Sequence, residues 1–199
     1  MPVRQRGPRL ALGVGDRTFL RRPEPDDEAE FLARVRASRA LHRGLVEPPL
    51  TRPQFARFLH RAEQPGQEVH FLCRRDDGAI LGVVNLSSIV RGSLHAGNLG
   101  YYALTPFAGQ GYMKEGVQLV LRRAFLRLAL HRVEAAVQPD NTASIALLAR
   151  NGFRAEGFSP RFLRIAGRWR DHLRFAIDID DWRGWRRRQV RAQPARRRR

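Results

Sequence analysis

Ala108-Gly109-Gln110-Gly111-Tyr112-Met113 stands where the hydrophobic pattern of this chain changes period. Before it, Asn98-Leu99-Gly100-Tyr101-Tyr102-Ala103-Leu104 has the two-residue period of a strand. From Thr105 onward Met113, Val117, Val120, Ala124, Phe125 and Leu128 recur at helical spacing, which predicts a long helix ending near Leu130. Glycines at such a junction let successive backbone N–H groups turn toward one point. The positive end of the helix favours an anion at that point, such as a pyrophosphate. A glycine pair alone is also an ordinary turn, so the neighbouring segments must decide between the two readings.

Upstream, Val69 to Arg74, the hairpin turn Asp76-Asp77-Gly78 and the strand Ile80 to Val90 lead through Arg91-Gly92-Ser93 into the strand before the loop. Three strands thus follow in antiparallel order. Thr51-Arg52-Pro53-Gln54 is a capping box that opens a helix with Phe55, Phe58 and Leu59 on its apolar face. Pro23, Pro25 and Asp26-Asp27-Glu28 open an earlier helix buried through Phe31, Leu32, Val35 and Ala40, and Thr18 to Arg21 is a first short strand. Downstream come the buried strand Val133 to Val137, the helix Thr142 to Arg150 closed by Asn151-Gly152, and two strands, Phe158 to Ile165 and Asp171 to Ile177, around Ala166-Gly167. The order β, αα, βββ, α, β, α, ββ is an α+β layout on one mixed sheet, with no internal repeat.

A chain of 199 residues with 43% apolar composition supports one core. The expected organisation is a flexible basic segment over residues 1–15, one domain over 16–182 and an Arg-rich tail over 183–199. No apolar run approaches the roughly 18 residues of a membrane span, so a cytoplasmic protein without membrane contact is expected. Cys73 has no partner for a disulfide and lies in a strand, as a core thiol does. The net charge of +18 invites a polyanion partner such as ribosomal RNA. Nine of the 37 basic residues, and so half of the excess charge, lie in Trp182 to Arg199. Lys114 is the one lysine, a pattern that coding bias toward arginine also produces. Trp182 and Trp185 either stack on RNA bases or pack a C-terminal segment. The six histidines show no metal-ligand spacing, and no metal is expected.

The loop resembles that of the GNAT superfamily, written Gln/Arg-x-x-Gly-x-Gly/Ala, with Gly111 at the central glycine. Ala108 stands where Gln or Arg is usual, and Met113 where a small residue is usual. Leu94-His95-Ala96-Gly97-Asn98-Leu99-Gly100-Tyr101 is similar to the RimJ/RimL-like branch of ribosomal-protein-alanine acetyltransferases. So are Arg91 to Ala96, Asn141-Thr142-Ala143-Ser144 with Asn151-Gly152-Phe153, and Gly167-Arg168-Trp169-Arg170-Asp171-His172. These segments span about Thr18 to Trp182.

The resemblance implies a mixed, mostly antiparallel sheet of six to seven strands, with helices on both faces and a splayed gap between its fourth and fifth strands. It implies acetyl-CoA as cosubstrate. Tyr102, Ala103 and Leu104 would lie along the pantetheine arm, Ala108, Gly109, Gln110, Gly111, Tyr112 and Met113 around the pyrophosphate, and Asn141 and Ser144 at the thioester. The acceptor it implies is the α-amino group of a ribosomal protein, reached by direct transfer in a ternary complex. Such chemistry needs a neutral amine, an oxyanion stabiliser and a proton donor for the departing sulfur. Asn98 stands where some relatives carry a carboxylate. Glu134, Glu156 and Asp171 are the candidate proton acceptors through water, with Glu134 foremost. All three tyrosines precede the Asn141 helix in sequence, which leaves Ser144 as candidate acid or as a helix-capping neighbour of Asn141. Two rival acceptors are a small-molecule amine and a protein lysine. A rival of another class is a basic RNA- or ribosome-binding module without catalysis. A monomer and a dimer are equally compatible with the sequence.

Overall fold

The computed structural model describes residues 11–192. In chain order its elements are β1 (Gly13–Val14), β2 (Thr18–Arg21), a 3₁₀ turn (Pro25–Asp27), α1 (Glu28–Ala37), α2 (Arg39–His42), α3 (Arg52–Ala62), β3 (Glu68–Arg74), β4 (Ile80–Val90), β5 (Ala96–Ala103), α4 (Tyr112–Leu126), β6 (Arg132–Val137), α5 (Thr142–Arg150), β7 (Arg154–Ile165), β8 (Arg168–Asp178) and α6 (Ile179–Ala192). The strands form one sheet in the order β1-β2-β3-β4-β5-β6-β8-β7, antiparallel throughout except for the β5–β6 pair.

Alternation along the strands feeds two cores, because successive side chains leave a strand on opposite faces. Phe19, Phe71, Cys73, Ile80 and Val83 pack under α1 and α3 with Phe31, Val35, Phe55 and Phe58. Their neighbours Leu20, Leu72, Leu81 and Val84 pack under α4 with Val117, Val120, Ala124 and Phe125. The helices therefore lie on both faces. The caps form as the local chemistry dictates: Gln54 Oε1 accepts from the Thr51 amide at 3.1 Å, and Asn141 Oδ1 accepts from the Ser144 amide at 3.1 Å. Arg21 and Asp27 form a buried two-pronged pair at 2.7 Å that holds the chain entering α1.

The parallel pair matters most for the site. β5 and β6 are in register only at Ala96–Arg132, Gly97–Val133 and Asn98–Glu134. Beyond that point β5 continues to Ala103 beside β4, and β6 continues to Val137 beside β8. Each strand keeps its outer neighbour, so the sheet opens as a V with two free backbone edges.

Two features differ from the sequence expectation, and a third decides between its two readings of the tryptophans. The sheet has eight strands rather than six or seven, because Gly13–Val14 pairs with β2 inside the stretch read as a flexible segment. The chain past Trp182 continues as α6 to Ala192. Trp182 and Trp185 are 2% and 9% exposed, and the Trp182 ring lies 5.2 Å from that of Phe125, so these rings pack the core and do not present faces to bases. Residues 1–10 of the expected N-terminal segment and 193–199 of the expected tail lie outside the described residues. No described helix is long and apolar enough to cross a membrane.

Candidate active site

The opening of the V continues into a cleft of about 850 Å³, within the range of small-molecule sites. Leu99 to Ala103 of β5 form one wall, and Ala135 to Val137 of β6 with Asn141 to Ser144 of α5 form the other. One mouth is the glycine loop. Gly109 and Gly111 hold φ of 78° and 81°, and Gly111 is the residue preceding the first turn of α4. A side chain would be strained there. None of the amides from Gly109 to Gly111 donates to a described residue. Free amides at a helix N-terminus are suited to an anion.

The loop is braced from behind. Arg17 donates to the Gln110 carbonyl at 3.1 Å and lies 4.4 Å over the Tyr112 ring, while Glu115 Oε1 accepts from the Arg17 and Thr18 amides at 3.0 and 3.1 Å. Lys114 and Arg150 line the cleft, and no Asp or Glu does. That balance fits a phosphate-bearing thioester: apolar strand walls for an extended arm, and basic groups with free amides for its phosphates.

At the other mouth, three hydrogen bonds tie α2 and its flanks to the sheet. His42 Nε2 meets the Ala103 carbonyl at 2.8 Å, Gln138 donates to the Gly44 carbonyl at 2.7 Å, and the Thr105 amide donates to Ser38 Oγ at 2.8 Å. A carbonyl only accepts, so Nε2 of His42 carries hydrogen and Nδ1, buried and without a partner, is the bare nitrogen. Desolvation outweighs the bond to Ala103 and lowers the His42 pKa. His172, also buried and lining the cleft, engages the Arg170 carbonyl through Nδ1 at 2.9 Å. Across the V, the Tyr101 hydroxyl donates to the Ser144 carbonyl at 3.4 Å, and burial pushes the phenol up to about 12.

Of the residues expected from sequence, Tyr102, Ala103, Ala108, Gly109, Gly111, Tyr112, Met113, Asn141 and Ser144 line this one cleft. Leu104 does not; it is fully buried against α1 and α3, its amide bonded to Leu81. Gln110 turns its side chain back to the Pro106 carbonyl at 2.8 Å. Glu134 sits where β5 and β6 are still paired, below the opening, and is held by Arg132 at 2.7 Å and Arg174 at 2.8 Å. Glu156 is likewise paired with Arg132 and Arg154, and Asp171 accepts from the Arg161 amide. None of these three carboxylates reaches the cleft. His42, His172, Gln138 and Tyr101, together with Lys114, Thr142 and Arg150, are polar lining residues that the sequence did not single out for this cleft. Tyr101 was legible as a tyrosine but not as a neighbour of α5, which is 43 residues away in sequence.

An α+β domain whose mixed sheet splits at its parallel pair, above a glycine loop at a helix N-terminus, is the class that this architecture defines. Residues 17–154 match the acetyltransferase (GNAT) domain, and the chain belongs to that family. The [Ribosomal protein uS5]-alanine N-acetyltransferase of Escherichia coli (strain K12) is 41% identical over 107 residues, 54% of this chain and 55% of its own length. The chain thus spans about half the length of that curated relative. The probable N-acetyltransferase YjcK of Bacillus subtilis (strain 168) is 37% identical over 127 residues, 63% of this chain and 70% of its own length. Among solved structures, Mycobacterium smegmatis RimJ in complex with CoA-disulfide is similar with a TM-score of 0.79, covering 88% of each chain at 28% identity.

Proposed function

We propose that this protein transfers an acetyl group from acetyl-CoA to the α-amino group of a protein N-terminus, an N-terminal alanine of a ribosomal protein in the first instance, by direct attack within a ternary complex. The observation that carries the reading is the V between β5 and β6, with free loop amides at one mouth and the first turn of α5 in its wall. Acetyl-CoA supplies the activated acyl group as a thioester. Met113, Tyr112 and the amides of Gly109 to Gly111 hold the phosphate end, the edge of β5 at Tyr101 to Ala103, open except for the Ala103 carbonyl taken by His42, aligns the arm, and Asn141 sets the start of α5 against its far end.

An α-amino group has a pKa of about 7.7 to 8.0, so deprotonation at neutral pH costs roughly 1 kcal/mol, against about 5 kcal/mol for a lysine. The absence of a carboxylate from the cleft lining is therefore compatible with an α-amine and unfavourable for a lysine. In this reading His42 takes up the amine proton at Nδ1, which is covered in the structure, through a water admitted with the acceptor. Ser144, whose backbone carbonyl accepts from the Tyr101 phenol, gives its hydroxyl proton to the departing sulfur and recovers a proton from solvent. The test is mass analysis of alanine-led N-terminal peptides and ribosomal proteins after incubation with acetyl-CoA. Acetylation at the α-amine supports the proposal, and modification only of lysines or of free amines excludes it.

A further inference from the structure

A second pocket, of about 590 Å³, opens beside the first, and His42 and Val46 line both. Its walls come from α1, α2, the chain from Arg43 to Leu50, α3 and the β7–β8 turn at Ala166. Four exposed arginines converge on it: Arg39, Arg43, Arg57 and Arg61. Arg57 and Arg61 are one helical turn apart on the same face of α3, a spacing at which like charges repel. None of the four is ion-paired with a described residue. Arginines such as Arg21 with Asp27, Arg123 with Glu68 and Arg154 with Asp178 are paired, and unpaired ones such as Arg122 and Arg127 are not gathered around this pocket. The pocket's single carboxylate, Glu47, is committed to the Ala166 amide at 3.0 Å. Four guanidinium groups thus face a concave wall in which Val35, Pro48, Pro49 and Leu50 are apolar and Gln54 and His60 are polar but without negative charge. Low-dielectric walls of that kind concentrate the field of the charges they carry.

Resting on the α-amino reading above, we propose that this pocket selects acceptors with carboxylate side chains in the residues just after the acetylated terminus. The amine would enter the thioester cleft past His42, and each following residue advances the chain by about 3.3–3.6 Å into the arginine pocket. Arginine forks bind carboxylates in two-pronged fashion, so one or two acidic residues there neutralise charge that the protein leaves open. The same charge repels a polyamine or a lysine-rich segment. It also favours the neutral form of an amine held nearby, since a like charge disfavours the ammonium. A nucleic acid is the less suited occupant, because no Phe, Tyr or Trp lines the pocket to stack on a base.

The experiment compares three alanine-led peptides, identical except that residues two to five are acidic, neutral or basic, in kcat/KM for the wild type and for the double variant Arg57→Glu/Arg61→Glu. Calorimetric binding of acetyl-CoA by the variant establishes that it is folded. The expected result is a preference of roughly tenfold for the acidic over the neutral peptide, carried by KM and weakened by salt, that reverses toward the basic peptide in the variant. Equal rates for all three peptides, or an acidic preference that survives in the variant, overturns the proposal while leaving α-amino transfer intact. Competition by an RNA oligonucleotide that the variant loses, with no effect of peptide charge, assigns the pocket to phosphates and also overturns it. Acetylation of a small amine but of no peptide removes the α-amino reading, and this inference with it.

Discussion

His42 ties α2 to the end of β5 and lines both the cleft and the pocket beside it. Its ring packs edge-on against Tyr102 at 5.3 Å, its Nε2 is spent on the Ala103 carbonyl, and its lowered pKa keeps Nδ1 unprotonated at neutral pH. His42→Gln retains a donor for that carbonyl and removes the base. It should lower kcat on an α-amine by about a hundredfold, the lower end of general-base effects, with acetyl-CoA binding retained. The sign of the pH dependence follows from the direction of the shift. As pH falls, kcat/KM should decline with unit slope once the amine protonates, near pH 7.7 to 8.0. The slope should steepen to two only below pH 6.5, where His42 also protonates, and the steep limb should be missing in the variant. A loss in kcat under threefold would remove His42 from the role. For the proton returned to sulfur, Ser144→Ala and Tyr101→Phe separate the two hydroxyls. If Ser144 is the donor, its variant should lose kcat at least tenfold and Tyr101→Phe less, with KM for acetyl-CoA little changed in both. The reverse order would transfer the role to Tyr101, whose burial keeps it protonated.

Among the elements, α5 and α6 contrast instructively. α5 begins at Asn141, whose side chain bonds the Ser144 amide, and that i to i+3 pattern is visible in four consecutive residues. α6 carries arginines at most of its solvent positions, so its composition resembles a solvated tail. Its fixed points are two tryptophans three residues apart, and they are buried against Phe125 and against Gly152, where a Cβ would come within 2.8 Å of the Trp185 ring. Trp185→Ala should therefore cost about 3 kcal/mol, as large-to-small core substitutions do, read as a shift in the midpoint of urea denaturation. A change below 1 kcal/mol would mean that the helix does not contribute to the core. The β5–β6 pair is a third case: three registered residue pairs are enough to fix the strand direction, and the divergence after Asn98 creates the cleft.

Taken as a unit, the molecule uses most of its carboxylates to neutralise arginines and leaves an excess of positive charge at both concave regions, the cleft with Lys114 and Arg150 and the pocket with four arginines against Glu47. The pair that couples its layers is Glu68 with Arg123 at 2.8 Å, joining β3 to α4, with His70 at 3.1 Å completing the contact. Burial opposes ionisation of Glu68, but the hydrogen bonds from His70 and Arg123 outweigh it and hold the carboxyl at about 2. A depressed folded-state pKa gives stability that is present above the unfolded value, near 4.5, and lost as pH falls toward about 2. Glu68→Gln should lower stability at pH 7 by about 3 kcal/mol, because it leaves Arg123 without its carboxylate in a largely buried site. It should also flatten the loss of stability between pH 4.5 and 2, measured by thermal denaturation across that range. An unaltered acid limb would mean that other carboxylates govern it.

The strand and helix order, the glycine loop before α4 and the Asn141 cap were all legible in the chain, because each depends on interactions within a turn or along one periodic face. β1 and α6 were not, since two residues of strand and an arginine-covered helix are held by partners remote in sequence. The same distinction governs the site. The loop residues were identifiable from their own backbone chemistry, whereas Glu134, chosen as an acid inside an apolar strand, proved to be tied up by Arg132 and Arg174 below the opening. Which polar side chains meet in the cleft depends on where β5 and β6 part and on what α2 lays across their ends. Contacts of that kind, such as His42 to Ala103 across 61 residues, have no local signature.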